Sequence, residues 1–213
     1  MKKLIIAASL LFASFSGIAS SDALGDFIEA LPSGLPTQQA TVQAKTFPKG
    51  TPEYVRSLYS ISEKQKKVLE YALRVGNKYD RKTGKLVDVD KTKRLGYHLA
   101  AIAWIESRAC EVTGKGKNNH GAYGCWQVTT ASANETFSKS YPKRTVIKKL
   151  ETLHGGTECA IGELSYWLNY HNGDIKKALA SYNKGFKYKD PRARQYAKMV
   201  MHTAKILEEN QML

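Results

Sequence analysis

The sequence lacks a hydrophobic run long enough to cross a membrane. A spanning helix takes about 20 consecutive apolar residues, and the mainly apolar run at residues 4–15 is shorter. Two lysines precede this run, and the small residues Gly17 and Ala19 follow it. This order predicts a secretory signal peptide over residues 1–19. We therefore expect an exported protein, periplasmic or extracellular, that is not an integral membrane protein after cleavage.

Cysteine is also scarce. The three cysteines, Cys110, Cys125 and Cys159, include no C-x-x-C pair and do not have the spacing of a zinc site. We expect no metal and no cofactor. Export permits disulfides, so one bridge and one free thiol are expected, with the pairing left open. A cysteine nucleophile with His98 or His120 as its partner is an alternative that no motif supports.

Acidic residues are outnumbered by basic ones, 19 against 33, which gives a formal charge of +14. Such an excess favours polyanionic partners. For an exported protein these are peptidoglycan, anionic wall polymers and membrane surfaces. Nucleic acid is an alternative suggested by the charge alone, but export and the absence of a concentrated basic helix face argue against it. A role of the charge in solubility alone is the remaining interpretation.

The pattern of apolar residues predicts a mainly α protein, with one domain at residues 53–213 after a flexible, polar, proline-containing arm at 20–52. A first helix start is predicted at Thr51-Pro52. Ser62 and Gln65 have the spacing of a capping box. Turn residues at 80–90 predict a turn or hairpin, residues 111–124 a loop, and residues 125–129 a short strand. Further helices are predicted at 91–109 with Asp90 as cap, and then at 143–153, 156–171, 174–182 and from Asp190-Pro191 onward.

The helix at 91–109 carries an acidic residue in an apolar context. Leu99 and Ile102 lie seven and four residues before Glu106, so helical geometry places all three on one face. Burying a carboxylate is costly unless it is paired or protonated, and burial raises its pKa, as a general acid near neutral pH requires. A structural salt bridge, for example to Arg108, is the alternative for this helix considered alone.

Three motifs and a tyrosine occur in a set order, and the first motif contains Glu106. The segment A-W-I-E-S ends at Ser107, G-A-Y-G-C-W-Q ends at Gln127, A-S-Y-N-K-G ends at Gly185, and Tyr196 lies in the last predicted helix. Together these motifs resemble the catalytic domain of the soluble lytic transglycosylases, relatives of goose-type lysozyme, over about residues 60–207.

The chain departs from this family pattern at three places. Cys125-Trp126 replaces Leu-Met, Ser181 replaces Ala, and the loop between Glu106 and Gln127 is longer than usual. The substitutions alter pocket walls more than chemistry. Gly162 with Trp167-Leu168 resembles a further family segment, G-x-x-Y-L.

The resemblance implies a lysozyme-like, mainly α domain with a short β element near the active-site cleft. It also implies cleavage of the β-1,4 bond between MurNAc and GlcNAc in peptidoglycan. Glu106 would protonate the glycosidic oxygen and then act as base on the sugar's 6-hydroxyl, which leaves a 1,6-anhydro-muramic end. Such an enzyme could serve wall turnover or a secretion, conjugation or phage machine.

The resemblance also implies a substrate-binding set. Ser107 and Gln127 would orient Glu106 or the acetamido group, Tyr182 and Asn183 would line the cleft, and Tyr196 would hydrogen-bond to Glu106. Core positions for the tyrosines and a backbone-capping role for Gln127 are the structural alternatives. Trp167 is expected in the core and Trp126 in the cleft. The complete predicted set is Ser107, Gly124, Trp126, Gln127, Tyr182, Asn183 and Tyr196.

Aspartate is absent from residues 91–173, where a second catalytic carboxylate would be expected. Glycosidases typically use two carboxylates on opposite sides of the bond. We therefore favour a mechanism with one carboxylate, in which the substrate's acetamido group stabilises the cation. A goose-type lysozyme-like hydrolase and an inactive peptidoglycan-binding module remain as alternatives. The glutamates left as possible second groups are Glu111, Glu135, Glu158 and Glu163.

Overall fold

The computed structural model describes residues 57–86, 94–113, 121–137 and 141–213. These residues are mainly helical with one small two-stranded sheet, which confirms the predicted fold class. The predicted signal peptide, the N-terminal arm and the helix start at Thr51 lie outside the described residues. Within these ranges, no helix is both long and apolar enough to cross a membrane.

The two strands form an antiparallel hairpin, with Ala122 opposite Thr129. Along the described chain the elements are a 3-10 turn at Ser57–Ser60, α1 (Glu63–Gly76), α2 (Gly96–Ser107), β1 (Ala122–Tyr123), β2 (Val128–Thr129), α3 (Thr130–Thr136), α4 (Lys143–Glu151), α5 (Leu153–Tyr170), α6 (Ile175–Lys184), a 3-10 turn at Gly185–Lys187 and α7 (Pro191–Glu209).

Helix α1 begins where the sequence predicts it. The N–H of Gln65 donates to the Ser62 hydroxyl at 3.2 Å, and the N–H of Ser62 donates to the Gln65 side chain at 2.8 Å. This capping box satisfies two N–H groups that would otherwise lack partners at the start of a helix. Gln65 also donates to the Arg108 carbonyl at 3.0 Å, so the cap of α1 supports the end of α2.

Helix α2 lies at the centre of the core. Its residues from Leu99 to Ile105 are all buried, and it packs against α1 and α7. A helix buried on all sides must be apolar on all sides, and the segment L-A-A-I-A-W-I meets this requirement. Helix α1 approaches so closely that a Cβ on Gly76 would lie 2.7 Å from the Gly96 Cα, which makes glycine necessary at this crossing.

The predicted bounds of this helix, 91–109, are wrong, and Asp90, its predicted cap, lies outside the described residues. Helix α2 begins at Gly96 because the preceding backbone pairs with an earlier segment. The N–H of Leu95 donates to the Tyr79 carbonyl at 3.1 Å, next to an antiparallel bridge. The helix ends at Ser107 because the next residue, Arg108, has left-handed backbone with φ 53°.

The later helices were largely predicted. Asn172 and Gly173 have φ of 52° and 80° and separate α5 from α6, as expected. The Asp190 side chain caps α7 by accepting a hydrogen bond from the Arg192 N–H at 2.7 Å. Helix α3 was not predicted. Thr129 caps it by accepting a hydrogen bond from an N–H one turn later, and the short helix positions Ser132 beside α5.

Candidate active site

The last turn of α2 carries Glu106. Its side chain is partly exposed, whereas Ile105 and Ser107 are 2% and 1% exposed. The prediction placed Glu106 on the apolar face of an amphipathic helix, but α2 is buried all round and has no polar face. Glu106 reaches the surface because it lies at the helix end.

The chain turns sharply after Glu106. Arg108, Ala109 and Cys110 have φ of 53°, 53° and 70°, a left-handed conformation that costs about 1–2 kcal/mol per residue. The N–H of Ala109 donates to the Ala103 carbonyl at 3.0 Å, and a disulfide joins Cys110 to Cys125. The sequence did not indicate which cysteines pair, and the structure shows that the disulfide joins Cys110 to Cys125. Backbone strain held in place in this way is common at functional sites.

Ser107 connects the end of α2 to the turn after β1. Its hydroxyl donates to the Cys125 carbonyl at 2.7 Å and accepts a hydrogen bond from the Cys110 N–H at 2.8 Å. Ser107 is buried with both functions of its hydroxyl in use, so its assignment to substrate binding stays a prediction. Ser107 fixes the position of the segment that carries Gln127 relative to Glu106.

The turn between β1 and β2 needs glycine at one position. Gly124 has φ of 72°, and a Cβ there would collide with the Leu150 carbonyl oxygen. Gly124 is buried and shapes the turn, and its assignment to substrate binding stays a prediction as well. Gln127 has left-handed backbone, with φ 49°, and its side-chain nitrogen donates to the Gly124 carbonyl at 2.8 Å. This bond fixes a partly exposed amide whose oxygen is left for another donor.

Trp126 was expected to line the cleft, but it is a core residue. It is fully buried, and its indole N–H donates to the Leu99 carbonyl at 3.1 Å. Because this side chain is buried, the backbone at residue 126 lies close to the core. The Tyr182 hydroxyl donates to the Trp126 carbonyl at 3.0 Å and so supports the peptide next to Gln127. Asn183, the neighbour of Tyr182, is exposed at the end of α6.

Tyr196 projects from α7 toward Glu106. Burial raises the pKa of the Tyr196 hydroxyl well above its usual value, and the charge of Glu106 with a hydrogen-bonding interaction to its carboxylate raises it further. The contact does not have the geometry of a well-formed hydrogen bond, and the described residues offer this hydroxyl no other partner. Such contacts at catalytic sites often tighten when substrate binds.

A second carboxylate belongs to this site. Burial raises the pKa of Glu163, on α5, to about 7, and the charge of Glu106 contributes to the rise. The Ser132 hydroxyl donates to Glu163 Oε1 at 3.2 Å. The sequence offered Glu163 as one of four possible second groups without distinguishing it. The distinguishing contact with Ser132 depends on α3, the helix that was not predicted.

The structure opposes the alternative of a cysteine nucleophile. Cys110 and Cys125 are bonded to each other, and burial raises the pKa of the Cys159 thiol to about 12. A thiol of that kind is a poor nucleophile at neutral pH. Burial lowers the pKa of His98 to about 4, so that side chain stays neutral. Within the described ranges, no group of three His, Cys, Asp or Glu side chains converges as metal ligands would.

An aromatic patch surrounds Trp167 on α5. Three exposed rings, Tyr166, Tyr170 and Phe186, surround Trp167 at centroid distances of 4.9, 5.7 and 5.2 Å. Trp167 itself is buried, as expected for a core residue. Contiguous exposed apolar surface of this kind commonly marks an interaction site.

A basic groove of about 820 Å³ lies between α6 and α7. Glu106, Gln127 and Tyr196 do not line it, so it is separate from the carboxylate site. Asp174 is the acidic residue in its lining, and it is paired with Lys177 at 3.0 Å. The basic residues of the groove are Lys176, Lys177, Lys189, Arg194 and Lys198.

Comparison with known proteins gives two matches. Residues 90–202 match the family described as Transglycosylase SLT domain. The chain is also similar to an uncharacterised 20.7 kDa protein from the vs-regB intergenic region of Enterobacteria phage T4. The two are 33% identical over 162 residues, which cover 74% of this chain and 87% of the phage protein. No solved structure gives a significant match.

Proposed function

Because this chain belongs to the Transglycosylase SLT domain family, we propose that it is a peptidoglycan lytic transglycosylase with Glu106 as its acid/base. The bond cleaved is the β-1,4 bond between MurNAc and GlcNAc. The observation that carries the proposal is the position of Glu106 at a helix end, against the otherwise unpartnered hydroxyl of Tyr196. Both residues lie in the matched region, as do Gln127 and Tyr182.

In the first step, protonated Glu106 donates its proton to the glycosidic oxygen. The bond from the MurNAc C1 to that oxygen then breaks, and positive charge develops at C1. The substrate's acetamido group stabilises this charge. The Gln127 amide, held by its bond to the Gly124 carbonyl, lies on the turn tied to the end of α2 and is the protein group we assign to orient the acetamido group.

In the second step, Glu106 is a carboxylate and accepts the proton of the MurNAc 6-hydroxyl. The oxygen of that hydroxyl bonds to C1 and closes the 1,6-anhydro ring. Glu106 regains a proton and no water is consumed. The Tyr196 hydroxyl can donate a hydrogen bond to the carboxylate between the steps, which stabilises the charge at the moment it forms. We assign Tyr182 and Asn183 to the wall of the cleft.

A hydrolase of the same bond is the second candidate, and Glu163 favours it. Inverting glycosidases use one carboxyl group as acid and another as base toward water. If Glu163 reaches a water on the far face of the sugar, the same Glu106 chemistry ends in hydrolysis. An inactive wall-binding module is the third candidate, to which the basic groove would be suited.

Export is part of the proposal, because peptidoglycan lies outside the cytoplasm. The predicted signal peptide and the disulfide both agree with an oxidising compartment. The similar phage T4 protein is uncharacterised, so wall turnover and secretion, conjugation or phage machines are all retained as settings.

Mass spectrometry of fragments released from purified peptidoglycan separates the three candidates. A lytic transglycosylase gives fragments one water lighter than the products of hydrolysis. Ordinary reducing ends would instead make the protein a lysozyme-like hydrolase. Binding without release of fragments would leave only the wall-binding module.

A further inference from the structure

The three rings of the aromatic patch are exposed and contiguous. The exposed fractions of Tyr166, Tyr170 and Phe186 are 48%, 52% and 66%. The centroid of the Phe186 ring lies 5.2 Å from that of Trp167 and 5.4 Å from that of Tyr170. The Phe186 side chain has no polar atom, so its contact with water is unfavourable. A contiguous patch of this kind is stabilised when an apolar partner covers it.

A first basic segment adjoins the patch through Phe186. The chain from Lys184 to Lys189 reads K-G-F-K-Y-K, and its three lysines are all exposed. A Cβ on Gly185 would lie 4.0 Å from the Trp167 ring, so this segment passes directly beside α5. The acidic residue that follows, Asp190, accepts a hydrogen bond from the first turn of α7 and serves as its cap.

A second basic segment packs against another side of α5. The Ser165 hydroxyl donates to the Gly84 carbonyl at 2.8 Å, and this bond holds the turn at residues 80–86 against the helix. The acidic residue of the turn, Asp80, accepts hydrogen bonds from two N–H groups of the same turn at 3.0 and 2.7 Å. The exposed basic residues of the turn are Arg81, Lys82 and Lys85.

The rings on α5 lie between these two basic segments. Successive residues of an α-helix are about 100° apart around its axis. Ser165 contacts the second basic segment, and Trp167, about 200° further round, contacts the first. Tyr166 and Tyr170 lie about 100° and 140° round from Ser165, and therefore between the two contacts. Exposed cations thus border the exposed rings on both sides.

The same stretch of sequence has little negative charge. Residues 164–189 contain five lysines and a single acidic residue, Asp174. The Asp174 carboxylate is paired with Lys177 at 3.0 Å. The face therefore combines an apolar centre with a basic border.

We propose that this face binds the surface of a membrane that contains anionic lipids. Phe186 enters the apolar layer below the headgroups, and the phenol groups of Tyr166 and Tyr170 stay at headgroup level, as tyrosine does at membrane interfaces. The lysines bury their apolar stems and pair their charges with lipid phosphates. Glu106 and the residues assigned to the cleft take no part, so the proposal goes beyond the proposed function and does not depend on it.

A glycan strand is less suited to this face. Sugars stack on flat, open aromatic surfaces, whereas neighbouring rings of the patch meet at interplanar angles of 74° to 83°. A neutral sugar chain also gives no role to the cations on both sides. An anionic lipid surface matches both properties of the face, because negative headgroups cover an apolar layer.

Co-sedimentation with vesicles tests the proposal. We would compare the full chain on vesicles of phosphatidylcholine mixed with phosphatidylglycerol and on vesicles of phosphatidylcholine alone. The wild type should bind the anionic vesicles more tightly, and added salt should weaken that binding. Equal binding to both kinds of vesicle, or no binding to either, would overturn the proposal. The N-terminus is the same in wild type and variants, so any contribution of residues 1–19 cancels in their comparison.

Two variants separate the apolar and the charged contribution. Phe186→Ser should weaken binding to anionic vesicles by about tenfold, because a phenylalanine side chain is no longer buried in the membrane. The matched control is Tyr59→Ser, since Tyr59 is 62% exposed outside the patch. The double variant Lys85→Gln, Lys187→Gln removes one cation from each basic segment and should weaken binding by a similar factor, roughly tenfold.

The control for the charged contribution is the double variant Lys64→Gln, Lys67→Gln, which removes two exposed lysines from α1. Binding by this variant should be close to that of the wild type. If Phe186→Ser binds as tightly as Tyr59→Ser, or if the two double variants bind equally, the face is not the site of contact and the proposal is wrong.

A fluorescent variant reports on insertion directly. The three native tryptophans are buried, so Phe186→Trp adds an exposed indole at the centre of the patch. Its emission should shift to shorter wavelength with anionic vesicles, and an unshifted spectrum would contradict insertion. Without lipid, Phe186→Ser should cleave purified peptidoglycan at the wild-type rate. Lost cleavage with unchanged vesicle binding would assign the patch to the glycan and overturn the proposal, whereas vesicle binding by a protein without lytic activity would uphold it and refute only the proposed function.

Discussion

Reduction of the Cys110–Cys125 disulfide should destabilise the protein by about 3 kcal/mol. The bridge spans 15 residues of sequence, and closing a loop of that length removes chain entropy equivalent to about 3 kcal/mol from the unfolded state. For a domain of this size that shift corresponds to a fall in Tm of about 6–12 °C. Activity should fall as well, because the bridge holds the left-handed segment after Glu106 against the turn that carries Gln127.

The assay is urea unfolding of the same protein, oxidised and reduced, with the same cleavage assay on both. The double variant Cys110→Ser, Cys125→Ser is the matched control. Its stability should be close to that of the reduced wild type, and added reductant should leave it unchanged. If thiol titration shows the bridge broken while the unfolding midpoint and the cleavage rate stay at oxidised values, the reasoning is refuted.

Three further changes have defined outcomes. In urea titrations, Gly124→Ala should lower the free energy of unfolding clearly more than Gly121→Ala. Both positions have positive φ, but only a Cβ at Gly124 meets a backbone carbonyl. Equal losses of free energy would contradict the proposed collision. Tyr196→Phe should lower kcat at least tenfold, equivalent to about 1.4 kcal/mol. The loss of stability should be small, because the Tyr196 hydroxyl forms no well-formed hydrogen bond in the resting site. An unchanged kcat would remove Tyr196 from the mechanism. Replacing Lys189 and Arg194 by Gln should weaken binding to purified cell wall in sedimentation assays and reduce the salt dependence of that binding. Replacing two exposed lysines of α1 by Gln should weaken binding less. Equal losses of binding would mean that the groove has no special role.

The sequence was sufficient to predict the helices that have clear ends. Ser62 with Gln65 and Asp190 with Pro191 specify caps through local hydrogen bonds, so neighbouring residues decide them. The start of α2 at Gly96 is different. It depends on a backbone bridge to a segment 14 residues earlier, and no local pattern encodes such a pairing.

The site was predicted as a set of residues but not as an arrangement. Motif order predicted that Tyr196 lies beside Glu106, and the two side chains do interact, but Glu106 is partly exposed rather than buried. It did not reveal that Ser107 and Trp126 are buried, because adjacency in sequence to Glu106 or Gln127 says nothing about which way a side chain faces. Both side chains point inward and donate hydrogen bonds to backbone carbonyl groups. Glu163 could not be singled out from spacing, because its hydrogen bond with Ser132 depends on the packing of α5 against α3.

The central claim is that Glu106 supplies the proton that breaks the glycosidic bond. The most direct test is the rate at which Glu106→Gln releases soluble fragments from purified peptidoglycan, measured beside the wild type and Glu135→Gln, which removes the same charge from an exposed position on α3. We predict release by the wild type and Glu135→Gln, and none by Glu106→Gln, with all three proteins unfolding at the same urea concentration. Release by Glu106→Gln at the wild-type rate would contradict the account.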